Sequence, residues 1–308
     1  MDGIILWDPV CGKKLAALPE RSTQSAFFDP ASGDLMASSS LYGFRRWSLR
    51  PIDNLQLSRF RLEPSSDQSK LPDELGKLAL STNAQISAVV HGDEIYIFDS
   101  TGSAEHSSLK AATYYESLAI SPDGKYLAAR TRDGGQIHIW DLARQVRVSN
   151  LPAFDEGVYF TFSPDGEWFV TSSSKAFRFW QVGTWQPGLE LRRSGNQPGP
   201  MAFSRDGKLF AMSDSFSAIE LVQLPRGESL ARLESPDRRL LRALAFSPDS
   251  RRLAAASLEQ LVMMWDLSLL TQELSKLNLQ GKLPAYPDSL KRDNLVELAV
   301  EFGEIKPK

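Results

Sequence analysis

Short apolar runs that end in an aromatic and a polar residue recur along the chain: GIILWD (Gly3 to Asp8), GFRRWS (Gly43 to Ser48), EIYIFD (Glu94 to Asp99) and QIHIWD (Gln136 to Asp141). Three more follow, AFRFWQ (Ala176 to Gln181), AIELVQ (Ala218 to Gln223) and LVMMWD (Leu261 to Asp266). Alternation of period two predicts a strand in each, with Ile137 and Ile139 on one face and His138 on the other. Taking Trp7, Trp47, Phe98, Trp140, Trp180, Val222 and Trp265 as marks, the spacings are 40, 51, 42, 40, 42 and 43. A fixed period near 40 residues signals one supersecondary unit used repeatedly.

A turn precedes each mark. Ser121-Pro122-Asp123-Gly124, Ser163-Pro164-Asp165-Gly166, Ser204-Arg205-Asp206-Gly207 and Ser247-Pro248-Asp249-Ser250 place a polar acceptor first and usually glycine last, the order of a type I turn. Phe28-Asp29-Pro30 through Asp34 is a lengthened version, and Leu80-Ser81-Thr82-Asn83 a degenerate one. Short apolar runs flank each turn, and Asp133-Gly134-Gly135 and His91-Gly92-Asp93 are hairpin signals. Each unit therefore reads strand, turn, strand, hairpin, strand. Without interleaved helical patterns these strands cannot build a parallel α/β sheet, whereas four-stranded antiparallel blades around an axis fit.

The turn followed by an IxIWD-like strand at this period resembles the Trp-Asp (WD) repeat family over roughly Gly3 to Leu267. The resemblance implies an all-β fold, a β-propeller of six complete four-stranded blades plus a half blade at the N-terminus. The family's Gly-His dipeptide is absent: His91, His106 and His138 lie elsewhere in the repeat and read as surface or satisfied histidines. The blades are therefore expected to be held mainly by packing and to lack the family's buried hydrogen-bond network.

The first unit starts at its third strand, so the chain is expected to be the C-terminal piece of a longer protein or a ring closed by strands from elsewhere. Residues 1–267 are assigned to the propeller and 268–308 to a C-terminal helix, linker and edge strand. In SLLTQELSKLNL (Ser268 to Leu279) the period changes, with Leu267, Leu270, Leu274 and Leu277 on one helical face in place of an outer strand. LPAYP (Leu283 to Pro287) reads as a linker and VELAVEF (Val296 to Phe302) as an edge strand. The run from Trp265 to Pro287 is similar to the exit segment of bacterial, planctomycete-type WD-repeat proteins, often fused to eukaryotic-like serine/threonine kinase domains. Arg61 to Leu75, inside the one long interval, reads as a solvent loop between blades two and three.

With 308 residues, 42% of them hydrophobic, the chain can bury a sizeable core. A formal net charge of −3 supplies no basic field for phosphates, which argues against nucleic acid as the ligand. The single cysteine, Cys11, excludes an intramolecular disulfide framework and reads as a small apolar filler. No stretch is long and apolar enough to span a bilayer, and a cytoplasmic location is expected.

Catalytic constellations are missing from the sequence. There is no GxxxxGK[ST] loop, HExxH, CxxC or GxSxG elbow, and none of the kinase motifs occurs. The repeated aspartates serve turns and strand ends, so neither catalytic residues nor metal or other cofactors are expected. What remains is surface: a rigid ring of loops binds with little ordering cost. In the family layout, the loops between second and third strands share one face with those entering each first strand. They carry Tyr42, Tyr115, Arg132, Asp133, Lys175, Phe216, Arg239 and Glu259, and aromatics and arginines are the types that anchor interfaces. The sequence thus predicts a non-catalytic scaffold for other proteins or peptides, in a bacterial signalling protein such as a WD-repeat serine/threonine kinase. The alternative is a propeller that gates or positions substrate for a catalytic domain absent from this chain.

Overall fold

A computed structural model describes residues 3–7, 14–18, 22–29, 32–41, 43–51, 60–64, 76–81, 85–99, 107–110, 114–133, 135–152, 159–235, 238–258, 261–277, 283–284, 286 and 300–302. Cys11, Tyr42, His106 and Glu259 lie outside them. The half blade is an antiparallel pair, β1 (Ile4–Trp7) and β2 (Lys14–Leu18). Blade two holds β3 (Thr23–Phe28), β4 (Leu35–Ser39), β5 (Gly43–Pro51) and β6 (Phe60–Pro64). Blade three holds β7 (Leu78–Leu80), β8 (Ile86–His91), β9 (Glu94–Asp99) and β10 (Ser107–Lys110). Blade four follows with β11 (Tyr115–Ile120), β12 (Tyr126–Thr131), β13 (Gln136–Asp141) and β14 (Val146–Pro152). Blade five is β15 (Phe160–Phe162), β16 (Trp168–Ser172), β17 (Ala176–Gln181) and β18 (Pro187–Arg192). Blade six is β19 (Met201–Phe203), β20 (Leu209–Ser213), β21 (Ala218–Gln223) and β22 (Glu228–Glu234). In blade seven, β23 (Leu241–Phe246), β24 (Arg252–Ser257) and β25 (Val262–Asp266) pair in order, and α1 (Leu267–Lys276) takes the fourth place. Consecutive strands pair antiparallel within each blade, and the blades are arranged as a β-propeller, as the repeat predicts.

The turns explain why the unit repeats. The hydroxyl oxygens of Ser121, Ser163, Ser204 and Ser247 each accept the backbone N–H five residues on, at 2.8–2.9 Å. Each hydroxyl donates in turn to the aspartate two residues later. That aspartate also accepts the N–H two residues beyond itself. These bonds satisfy most of the hairpin's backbone donors, which is what makes such a turn worth repeating. In the degenerate turn Ser81 keeps the bond, accepting from Ile86 N–H at 3.0 Å.

The last turn position needs left-handed backbone: φ is +74° at Gly124, +74° at Gly166 and +70° at Gly207. Ser250 holds φ +58° there despite its Cβ, a conformation that costs about 1–2 kcal/mol. Ser250→Gly is therefore expected to be about 1 kcal/mol more stable than Ser250→Ala. Both lose the bond that Ser250 Oγ accepts from Arg205 N–H, so a thermal melt of the two variants isolates the backbone strain. Equal melting temperatures would sink the argument.

Packing runs between blades. Ile137 and Ile139 of blade four meet Phe162, Phe169 and Trp180 of blade five, and Phe177 and Phe179 of blade five meet Phe210 and Met212 of blade six. Trp180 goes beyond packing: its indole N–H donates to Thr171 Oγ1 at 3.0 Å in the buried interior. In blade five one buried hydrogen bond thus adds to the packing, because the strand pairing places a threonine beside the indole. His138 is buried and satisfied, 3.1 Å from the Tyr115 hydroxyl through Nδ1 and 3.3 Å from Arg147 through Nε2.

Two local readings change. Residues 61–64 are not loop: β6 pairs with the long strand β5 along Phe60–Pro64, since an extended edge satisfies backbone groups that a loop there would leave open. Near the other end, Val300–Phe302 is the expected edge strand, β26, and it pairs in parallel with β6. The chain thereby returns from the last blade to the outer edge of blade two. Helix α1 starts where Asp266, the polar member of the last mark, caps it by accepting Leu269 N–H at 2.9 Å. Leu267 is buried, and Leu270, Leu283 and Tyr286 pack on the core between blades six and seven.

Candidate functional site: the loop face

Strands alternate in direction, so hairpins joining second to third strands share one end of the blades with the connectors entering the first strands. Exposed large apolar residues on that end include Leu41, Tyr114, Phe216, Leu258 and Leu261.

The best-built part lies where the connector 193–200, the hairpin 213–218 and residues 240–241 converge on a narrow cleft of about 10 Å³ lined by Arg193, Gly195, Gln197, Ser213, Phe216 and Leu240. Arg193 reaches across it. Its guanidinium donates to the carbonyls of Ser173 and Gln197 and to Ser213 Oγ, and lies 5.5 Å over the Phe177 ring. Burial pulls this group below its ordinary pKa against the opposing pull of Asp214 and Tyr159. Asp214 holds the other side, accepting Ser194 N–H at 2.8 Å through its side chain and Gly195 N–H at 2.7 Å through its carbonyl. Arg232 donates to its second carboxylate oxygen. Burial pushes the Asp214 carboxyl up, but the Ser194 N–H and the Arg232 guanidinium outweigh it and hold the group below the carboxylate range.

Glycine is required where these parts touch. A Cβ on Gly199 would sit 2.7 Å from Ser213 Oγ and 2.9 Å from Arg193, and its N–H donates to Ser172 Oγ. Phe216, 47% exposed, stands on a hairpin whose backbone carbonyl accepts Leu241 N–H, while that of Ser217 accepts Ser235 N–H. The exposed ring is thus carried on a fixed backbone, the property that lowers the ordering cost of binding.

The other predicted site residues divide. Arg132, Asp133 and Lys175 are exposed on their hairpins, and Lys175 borders a hollow of about 360 Å³ with Arg178 and Glu190. Arg239 is half-buried in the connector before β23. Tyr115 requires a correction: it opens β11, is 5% exposed and bonds His138. Its neighbour Tyr114 takes the exposed position, because alternation turns successive side chains to opposite sides. Sequence reasoning missed Arg193 and Asp214, whose separate bonds, Arg193 to Ser213 and Asp214 to Ser194 N–H, span blades five and six; the glycines at 195 and 199 were the available signal. Among the described residues no cluster of three or more His, Cys, Asp or Glu could hold a metal ion, and no helix is long and apolar enough to cross a membrane.

The fold and this face define a WD-repeat type of propeller, and two family models support that class. The WD domain, G-beta repeat model matches residues 227–266, which run from β22 to the end of β25. A model described as eukaryotic translation initiation factor eIF2A matches residues 72–182, spanning blades three and four and most of blade five. No curated protein matches the chain. A propeller of this class fits a protein-interaction scaffold.

Proposed function

We propose that the propeller is a non-catalytic scaffold that binds a protein or peptide across its loop face, with Phe216 as the apolar anchor and Arg132, Asp133, Lys175 and Arg239 as flanking charges. Tyr42 and Glu259, on the equivalent loops by sequence, complete the proposed set. The carrying observation is the half-exposed Phe216 ring held beside a cleft whose walls are tied by Arg193 and Asp214. Buried aromatic anchors contribute most at interfaces, while rim charges steer and select.

The finer reading places this ring in the cytoplasm, within a bacterial signalling protein that also carries a serine/threonine kinase domain; the likeness of residues 265–287 to exit segments of such proteins supports it. The match to the initiation-factor model falls on blades and is accounted for by the repeat, so no role in translation is drawn from it. Affinity capture tests the scaffold. Phe216→Asp is expected to weaken the captured partner's binding at least tenfold, and Arg132→Glu with Lys175→Glu to slow its association. Unchanged capture by both variants would place the binding surface elsewhere.

A further inference from the structure

At the end of the blades opposite the loop face, where the serine turns lie, three successive seams can be compared: four to five, five to six and six to seven. The residue five places after the turn serine stands at each seam: Tyr126 in blade four, Trp168 in blade five and Leu209 in blade six. Two of the seams receive an aromatic side chain from the chain itself. Between blades four and five it is Trp185, on the turn joining β17 to β18, buried edge-on to Tyr126 with 5.2 Å between ring centroids. Between blades six and seven it is Tyr286, which lies with Pro284 beside Leu209 and Leu230. Burial pushes the Tyr286 hydroxyl up to about 12.

The seam between blades five and six receives no such insert among the described residues. Its counterpart of Trp185 is Gly227: both N–H groups donate to the carbonyl four residues back, at 2.7 and 2.9 Å, and both residues have positive φ, +58° and +72°. No side chain fits there, since a Cβ on Gly227 would sit 2.9 Å from Leu191 and 3.2 Å from Leu189. A cleft of about 290 Å³ remains in this seam. Trp168, Leu189, Phe203 and Leu224 line it, each apolar and half-buried. The Trp168 ring is laid over Gly188, where a Cβ would come within 2.6 Å of it. The rim is acidic. Asp206 is offset by Lys208, 4.0 Å away, whereas Asp165 and Glu167 pair with no cation among the described residues. The next seam is balanced instead, with Arg205 and Lys208 against Asp206 and Asp249.

We propose that the cleft between blades five and six docks a segment of a partner polypeptide that inserts a proline-flanked aromatic side chain and carries a basic residue for Asp165 and Glu167. The chain's own Pro284 and Tyr286, one seam further on, show the kind of side chain such a seam takes. The uncompensated carboxylates set the charge that must accompany it. An aromatic seated on Trp168 and Phe203 leaves water and supplies most of the affinity, while the cation selects the partner. This cleft lies at the other end of the blades from the loop face, and the proposal does not rest on that reading.

The test uses the full chain and a fluorescently labelled peptide carrying residues 282–287, KLPAYP, as probe. Saturable binding is expected in fluorescence anisotropy, and Glu167→Lys is expected to weaken it at least tenfold. The fold accepts lysine at this position, because blades four and six carry Lys125 and Lys208 there, each with its carbonyl bonded as that of Glu167 is. A peptide with Lys282→Glu is expected to bind the wild type at least tenfold more weakly and to recover on Glu167→Lys, and a peptide with Tyr286→Ala to show no saturable binding. Absence of saturable binding by the parent peptide, or equal binding of the Tyr286→Ala peptide, would overturn the proposal. Equal binding by Glu167→Lys would also overturn it, as the mark of a peptide that displaces the chain's own segment at the next seam. So would a dimer in sedimentation that Glu167→Lys dissociates, since a second copy would then occupy the cleft.

Discussion

Replacing Phe210 by alanine is expected to lower the unfolding free energy by about 3–5 kcal/mol, read from urea denaturation. Its ring is fully buried, with centroids 4.9 Å from Phe203, 5.2 Å from Phe179 and 5.9 Å from Phe177. Phe203 and Phe210 belong to blade six, Phe177 and Phe179 to blade five, so the cavity opens in the seam between two blades. A close-packed seam of aromatics collapses poorly around a lost ring, which puts the cost near the upper part of the range for core truncations. Because the two blades share these contacts, they are expected to unfold together, with fluorescence and circular dichroism giving one midpoint. A loss below about 1 kcal/mol would show that blade five and blade six do not depend on this contact.

Asp214→Ala is expected to cost about 2 kcal/mol at neutral pH, since it strips a charged acceptor from Ser194 N–H and from Arg232. The sign of its pH dependence follows from the direction of the shift. The folded carboxyl titrates below its unfolded value, so its contribution is complete above about pH 4 and is lost as pH falls through the folded pKa. The gap between wild type and variant should therefore be constant from pH 7 to pH 5 and narrow towards zero in stronger acid. A gap that persists unchanged at pH 2 would mean that the side chain acts through packing and uncharged hydrogen bonds and not through its charge. The same variant loosens the connector 193–199, so partner binding at the cleft should weaken even though Asp214 is itself buried.

Most of the blade plan was legible in the chain because its determinants are local. A serine that accepts the N–H five residues on, an aspartate that closes the turn and a period-two strand act within about twenty residues, and the same is true of the Asp266 cap on α1. The candidate surface was legible in part. Arg132, Lys175 and Phe216 sit on the predicted hairpins and are exposed, whereas Tyr115 turned inward, since a one-residue step in a strand exchanges the faces.

By itself the sequence determined the repeat, the positions of the turns and of most strands, though not of β6, and the helix that ends the last blade. Only the tertiary structure decided that Arg193 and Asp214 join blades five and six, that Thr171 meets the Trp180 indole, and that β26 lies along β6. It also decided which apolar faces stay uncovered at Val262, Met264 and Trp7. The reason is that short-range hydrogen bonds and alternation are written in neighbouring residues, whereas burial depends on which blade arrives beside which, and identical strand patterns are covered in one place and open in another.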